Sequence, residues 1–486
     1  MGTQSNSIST SGFLKSILKF SVSSWINFFI GIASVVITTR LFTPEIYGTL
    51  NIFNTASTFL ASFACLGLDG AMLRFFNEPP VGWDKKQVFT KCLFYSVLFL
   101  LILTCFSSAF YYRKISLTLF NRVSLFFTVL LSMNALSMVV LNNYYSQYYR
   151  LDNDSLHYTI QTVLVQFFSK LFVVAAALLS PTTDTVLLFN TSGLFVLMVV
   201  YSFVQKKSIW PGHFHWSNQG FGEVFRYGLW GWPLSMAFSA SSFLIPFIIK
   251  IRTDSYSLGI FASTGFFVTA FNVVQSGFRT YWAAFMYAHY KTEQKRIIQV
   301  HDYIIIFVIA LLSGFLIFQH VAYLFIGKAF QSSRLFFSLV LLDPLIILLE
   351  QTTNYGMALA KRNREMTAIY LLAIALYLIL AYTLIPLCGL PGVAMAAAIA
   401  SVIRFTLATW RGQHYYKSIK NIKKTAIGVV LLLVLGISNY IFNDHYYYEL
   451  LVIFCIWIIM FLCFKETFRD MIRFVKTTTS RLKAEK

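Results

Sequence analysis

Asp69, Lys170, Arg279, Asp343 and Glu350 each carry a full charge inside a membrane-length stretch that is mostly apolar. A charge at mid-bilayer costs about 2.5–3.5 kcal/mol even on the gentler insertion scale, so a retained one faces a cavity or a partner. The chemistry open to such groups is recognition of opposite charge along a hydrated path. Uncharged polar residues accompany them at helical spacing. Asn51, Asn54, Thr55, Thr58, Ser62, Cys65 and Asp69 advance in steps of three and four, which places them on one face, with Arg74 following. Similar stripes run through Ser24, Asn27, Gly31, Ser34 and Thr38, through Thr159, Thr162, Gln166, Ser169 and Lys170, and through Ser235, Ser239 and Ser242. Two more contain Asn272, Gln275, Ser276 and Arg279, and Asp343, Glu350 and Asn354. Small residues in such stripes also let membrane helices approach closely. Arg40, Arg74 and Lys250 lie near span ends, where a long side chain can snorkel to the interface.

The elements that must position these residues are membrane helices. The chain of 486 residues is 57% hydrophobic and 12% charged, which excludes a soluble globule. Continuous apolar runs near 20 residues favour helices over the alternating strands of a barrel. Fourteen spans are expected, at 18–41, 46–73, 88–111, 122–146, 156–180, 186–204, 227–250, 258–283, 298–321, 335–358, 366–386, 390–410, 425–442 and 449–465. The longest loop, 205–226, reads as a cytoplasmic linker between a bundle at 1–204 and a second at 227–412. Residues 413–486 then supply two peripheral helices and a basic tail. The polar first dodecapeptide lacks a cationic n-region, so the first span reads as a retained anchor. Pro233, Pro246 and Pro344 fall inside spans and predict kinks there.

A formal charge of +20 invites nucleic acid as a partner, but the position of the charges argues against it. Lys and Arg fall roughly four to one on the side of both termini, as the positive-inside rule requires of cytoplasmic segments. The six cysteines lie in apolar segments without a CxxC pair, so neither a disulfide framework nor a metal site is expected. There is no GxxxxGK[ST], HExxH or GxSxG, and no loop large enough for a catalytic domain. The expectation is a non-enzyme without a cofactor. The two halves share an opening pattern, Pro44-Glu-Ile-Tyr-Gly-Thr-Leu against Asp254-Ser-Tyr-Ser-Leu-Gly-Ile, as repeats about an axis along the membrane normal would.

LFTPEIYGTL followed by SFACLGLDGAMLRFF resembles the Wzx-type polysaccharide and O-antigen flippases of the multidrug/oligosaccharidyl-lipid/polysaccharide exporter superfamily. So does the run ending LIPLCGLPGVAMAAAIASVIR, with Pro386, Gly389, Gly392 and Ala394 in its turn. The resemblance implies an all-α polytopic membrane protein of about fourteen helices: two six-helix bundles around a central cavity, plus two peripheral helices. It implies an inner-membrane flippase moving an undecaprenyl-diphosphate-linked oligosaccharide outward by alternating access, beside a glycan polymerase and other polysaccharide-assembly proteins. On this reading Arg40, Arg74, Lys170, Arg279, Asn272, Gln275, Asn51 and Asn54 bind substrate. Asp69, Asp343 and Glu350 carry a coupling proton or sodium ion, or else neutralise a nearby base. The alternatives are a cation-coupled multidrug exporter of the same superfamily and, from a different class, a membrane glycan polymerase or ligase.

Overall fold

The computed structural model describes residues 10–205, 220–443, 445–471 and 473, and every regular element among them is helical. Most of the 205–226 linker, including His213 and His215, lies outside the described residues, as does the end of the basic tail. In chain order the helices are α1 (Thr10–Leu41), α2 (Pro44–Ala64), α3 (Leu68–Phe75), α4 (Lys85–Phe110), α5 (Tyr112–Phe120) and α6 (Leu125–Met138). A π-helical turn, Val139–Tyr145, leads into α7 (Ser146–Leu151), α8 (Ser155–Leu179), α9 (Thr183–Val204), α10 (Phe221–Arg252), α11 (Ser255–Ser263) and α12 (Gly265–His289). Then come α13 (Gln294–Ile317), α14 (Gln319–Leu324), a 3-10 turn at Lys328–Leu335, α15 (Phe337–Glu350) and α16 (Tyr355–Leu359). The chain closes with α17 (Asn363–Cys388), α18 (Leu390–Tyr415), α19 (Ile422–Ile441) and α20 (Tyr446–Cys463). Among the described residues, 12 helices are long and apolar enough to cross a membrane, or up to 14 if each bent pair counts as one span. The all-α polytopic fold therefore agrees with the sequence reading.

Two compact units divide the chain, one of residues 1–266 with 328–330 and the other of 267–327 with 331–486. In the first, α1 packs on α8, and α2 is flanked by α6, α10 and α11. Its core is strongly aromatic. Phe89 meets Tyr144, Tyr145 and Tyr148 at ring separations of 6.2, 5.6 and 5.2 Å, arrangements that contribute beyond simple area burial. In the second, α15 packs on α18 and α19, α17 on α18, and α13 on α19. Buried His301 joins helices there, with Nδ1 2.6 Å from Thr352 Oγ1 and Nε2 2.9 Å from Thr425 Oγ1.

The structure departs from the sequence expectation at the second span. The run 46–73 is not one helix: α2 and α3 bend by 56° at 65–67. The cause is local, because Leu66 and Gly67 both take left-handed φ, +50° and +74°, which an α-helix of L-residues does not continue. Asp69 thus sits on a separate short helix, out of register with the Asn51–Ser62 stripe. The prolines, in contrast, do not break their helices. Pro233 and Pro246 lie within continuous α10 and Pro344 within α15, whose 63° bend falls earlier, at the 3-10 turn.

The two segments that share an opening pattern meet in space. Thr43 and Asp254 cap α2 and α11 by accepting from the backbone N–H three residues on. The helices then cross with Gly48 facing Gly259, so closely that a Cβ on Gly48 would stand 2.0 Å from the Ser255 carbonyl oxygen. One on Gly259 would stand 1.8 Å from that of Pro44. Only two glycines permit this backbone approach.

Candidate functional site

In the first unit, four helices enclose a cavity of about 360 Å³. Helix α1 contributes Ser34, Val35 and Thr38, and α2 contributes Tyr47, Leu50, Asn51, Asn54, Thr55 and Thr58. Helix α8 adds Lys170 and Val173, and α10 adds Ser242. These positions are the polar stripes of four spans converging, which is what a 3.6-residue period produces when each stripe avoids lipid.

Hydrogen bonding fixes what this wall presents. Thr38 donates to the Ser34 carbonyl at 2.7 Å, Thr55 to that of Asn51 at 3.0 Å, and Thr58 to that of Asn54 at 2.8 Å. Ser242 donates to the Phe238 carbonyl at 3.1 Å. Each hydroxyl has one proton and has used it on its own helix, so toward the cavity it offers lone pairs. Asn54 is held from behind: its Oδ1 accepts from Asn190 Nδ2 at 3.1 Å and Asn134 Nδ2 at 3.4 Å. Its own Nδ2 takes no protein partner among the described residues, and neither does the Asn51 amide. Lys170 is half-buried in a membrane-length helix and has no hydrogen bond or ion pair among the described residues. The wall therefore offers one ammonium, two amides, the unspent hydroxyls of Ser34 and Tyr47, and a row of acceptor oxygens.

The second unit treats its charges differently. Arg404 on α18 donates through Nε to Glu350 Oε2 at 2.9 Å and through Nη2 to Asp343 Oδ1 at 3.1 Å. Tyr370 of α17 donates to Glu350 Oε1 at 2.6 Å, and Ser401 donates to Asp343 Oδ1. Glu350 is only 1% exposed, yet every charge in this cluster is answered. Asp343 and Glu350 are thus both partners of a base.

The other sequence candidates scatter. Arg74 is exposed and pairs with Glu78 one turn on, while Arg40 is exposed at the end of α1. Asp69 stands in the first turn of α3 and makes no ion pair among the described residues. Asn272, Gln275 and Arg279 lie on α12 within the second unit, Asn272 and Arg279 exposed and Gln275 half-buried. Sequence reasoning brought Asn51, Asn54 and Lys170 to one site but missed Asn134, Asn190 and the role of Arg404. Their signal was present as single polar residues within apolar runs, without a stripe to mark them.

No protein-family model and no curated protein matches the chain. Solved structures do. The lipid II flippase MurJ in an inward closed conformation is 13% identical, with a TM-score of 0.69 over 93% of this chain and 99% of that one. An inward-facing multidrug resistance MATE family transporter of the MOP superfamily is 13% identical, with a TM-score of 0.55 over 85% and 98%. A MOP superfamily transporter from Pyrococcus furiosus, whose binding pocket is described as reversed in polarity, is 14% identical, with a TM-score of 0.52 over 85% and 96%. At these identities the likeness is one of fold.

Proposed function

We propose that the protein is a flippase that carries an undecaprenyl-diphosphate-linked oligosaccharide from the cytoplasmic to the outer leaflet of the cell's inner membrane. The observation that carries this reading is the polar cavity of the first unit, where Lys170 has no partner among the described residues and stands beside amides and hydroxyls of the kind that bind sugars. An ammonium unanswered by the protein favours an anionic ligand over the organic cations that a multidrug exporter would move. The fold shared with a lipid II flippase supports transport of a lipid-linked substrate.

Transport would proceed by alternating access, with both termini cytoplasmic and glycan-assembly proteins as neighbours. For ion coupling, Asp69 is the best placed of the three carboxylates, because Asp343 and Glu350 already share Arg404. The test is reconstitution of the full chain in vesicles with a fluorescent lipid-linked oligosaccharide, followed by quenching from outside. Protein-dependent loss of protected label is expected, and Lys170→Gln should slow it at least tenfold. No protein-dependent movement would reject the flippase reading, and rates indifferent to proton and sodium gradients would reject coupling.

A further inference from the structure

The cavity's hydrogen-bonding inventory narrows the class of substrate, an inference that rests on the flippase reading above. Lys170 is the one cation among the lining residues, so the cavity matches a ligand group with a single negative charge. A diphosphate carries at least two and would leave part of its charge unanswered at this wall. The acceptor-only oxygens of Thr38, Thr55 and Thr58 call for a ligand rich in O–H donors. The amides of Asn51 and Asn54 supply the donors that hydroxyl oxygens accept. Asn54 is fixed in that orientation, since turning its amide over would set its Nδ2 against two amide donors, those of Asn134 and Asn190. Many hydroxyls and one charge describe an acidic sugar. We propose that this cavity recognises a glycan residue bearing its own single anionic group, a uronate or a sugar phosphodiester, with that group on Lys170 and its ring hydroxyls on the threonine oxygens.

The test uses the purified full chain and four prenyl-diphosphate-linked disaccharides of equal length. They end in glucose, glucuronate, glucose 6-(methyl phosphate) or glucosamine, and binding is measured by calorimetry. Glucuronate or the methyl phosphodiester should bind about tenfold more tightly than glucose, as a charge-assisted hydrogen bond predicts, and the preferred one names the anion. Lys170→Gln should erase that preference, so that glucose and its acidic counterparts bind alike, while Lys170→Arg, which keeps the charge, should retain it. Equal affinity for the first three compounds, with Lys170→Gln weakening all of them together, would assign the ammonium to the diphosphate and overturn the proposal without touching the flippase reading. Tightest binding of glucosamine would overturn it too. Failure of all four to bind would reject the function along with the inference.

Discussion

Arg404 and Lys170 both lie within membrane-length helices of this protein, and the structure treats them in opposite ways. Arg404 in the second unit is clamped between Asp343 and Glu350, with Tyr370 and Ser401 completing the carboxylates' hydrogen bonds. Lys170 in the first unit lines a polar cavity and takes no hydrogen-bond or ion-pair partner among the described residues. A buried charge that the protein neutralises itself belongs to the architecture, because withdrawing either partner leaves the other stranded. A charge left unanswered destabilises the fold slightly and gains its partner only when something binds. Charge in an apolar helix therefore does not by itself mark a site.

The sharpest way to break this contrast is Arg404→Met. It should cost about 3–5 kcal/mol, read as a lower thermal midpoint in detergent, because Asp343 and Glu350 would remain buried without a cation. Adding Glu350→Gln and Asp343→Asn should recover much of the loss, and a single variant as stable as the parent would show the clamp to be dispensable. Next in size, Asn54→Ala removes the acceptor shared by Asn134 and Asn190 and should cost about 1–3 kcal/mol by the same assay. An unchanged midpoint would mean that those amides find other partners. Lys170→Gln should leave stability unchanged or raise it by up to about 1 kcal/mol while transport falls, the reverse of the arginine variant. A marked loss of stability would place Lys170 with Arg404 as structural. Smallest of all, Arg74→Ala breaks an exposed one-turn pair with Glu78 and should shift the midpoint by less than about 1 kcal/mol. A larger shift would show that α3 depends on that pair.

Much of the cavity was legible before the fold was seen. Asn51, Asn54, Thr55 and Thr58 share a face because 3.6 residues make a turn, and a polar face in an apolar span must avoid lipid. Lys170 stood out for the same reason. The break at 65–67 was hidden, since GLDG within an apolar run reads equally well as helix, and the left-handed φ of Leu66 has no sequence signature. Asn134 and Asn190 were also invisible, because what makes them matter is one oxygen of Asn54, 80 and 136 positions away along the chain.

The sequence by itself determined an all-helical membrane architecture, because apolar length and the bilayer's intolerance of unpaired backbone groups leave little else. It also determined which faces had to leave lipid, and it set glycines in the matching segments that meet as Gly48 and Gly259. Only the tertiary structure decided which buried charges are answered. Pairing depends on distances of a few ångströms between helices remote in sequence, and no local pattern encodes them. That is why Asp343, Glu350 and Lys170 looked alike as residues and differ so completely in place.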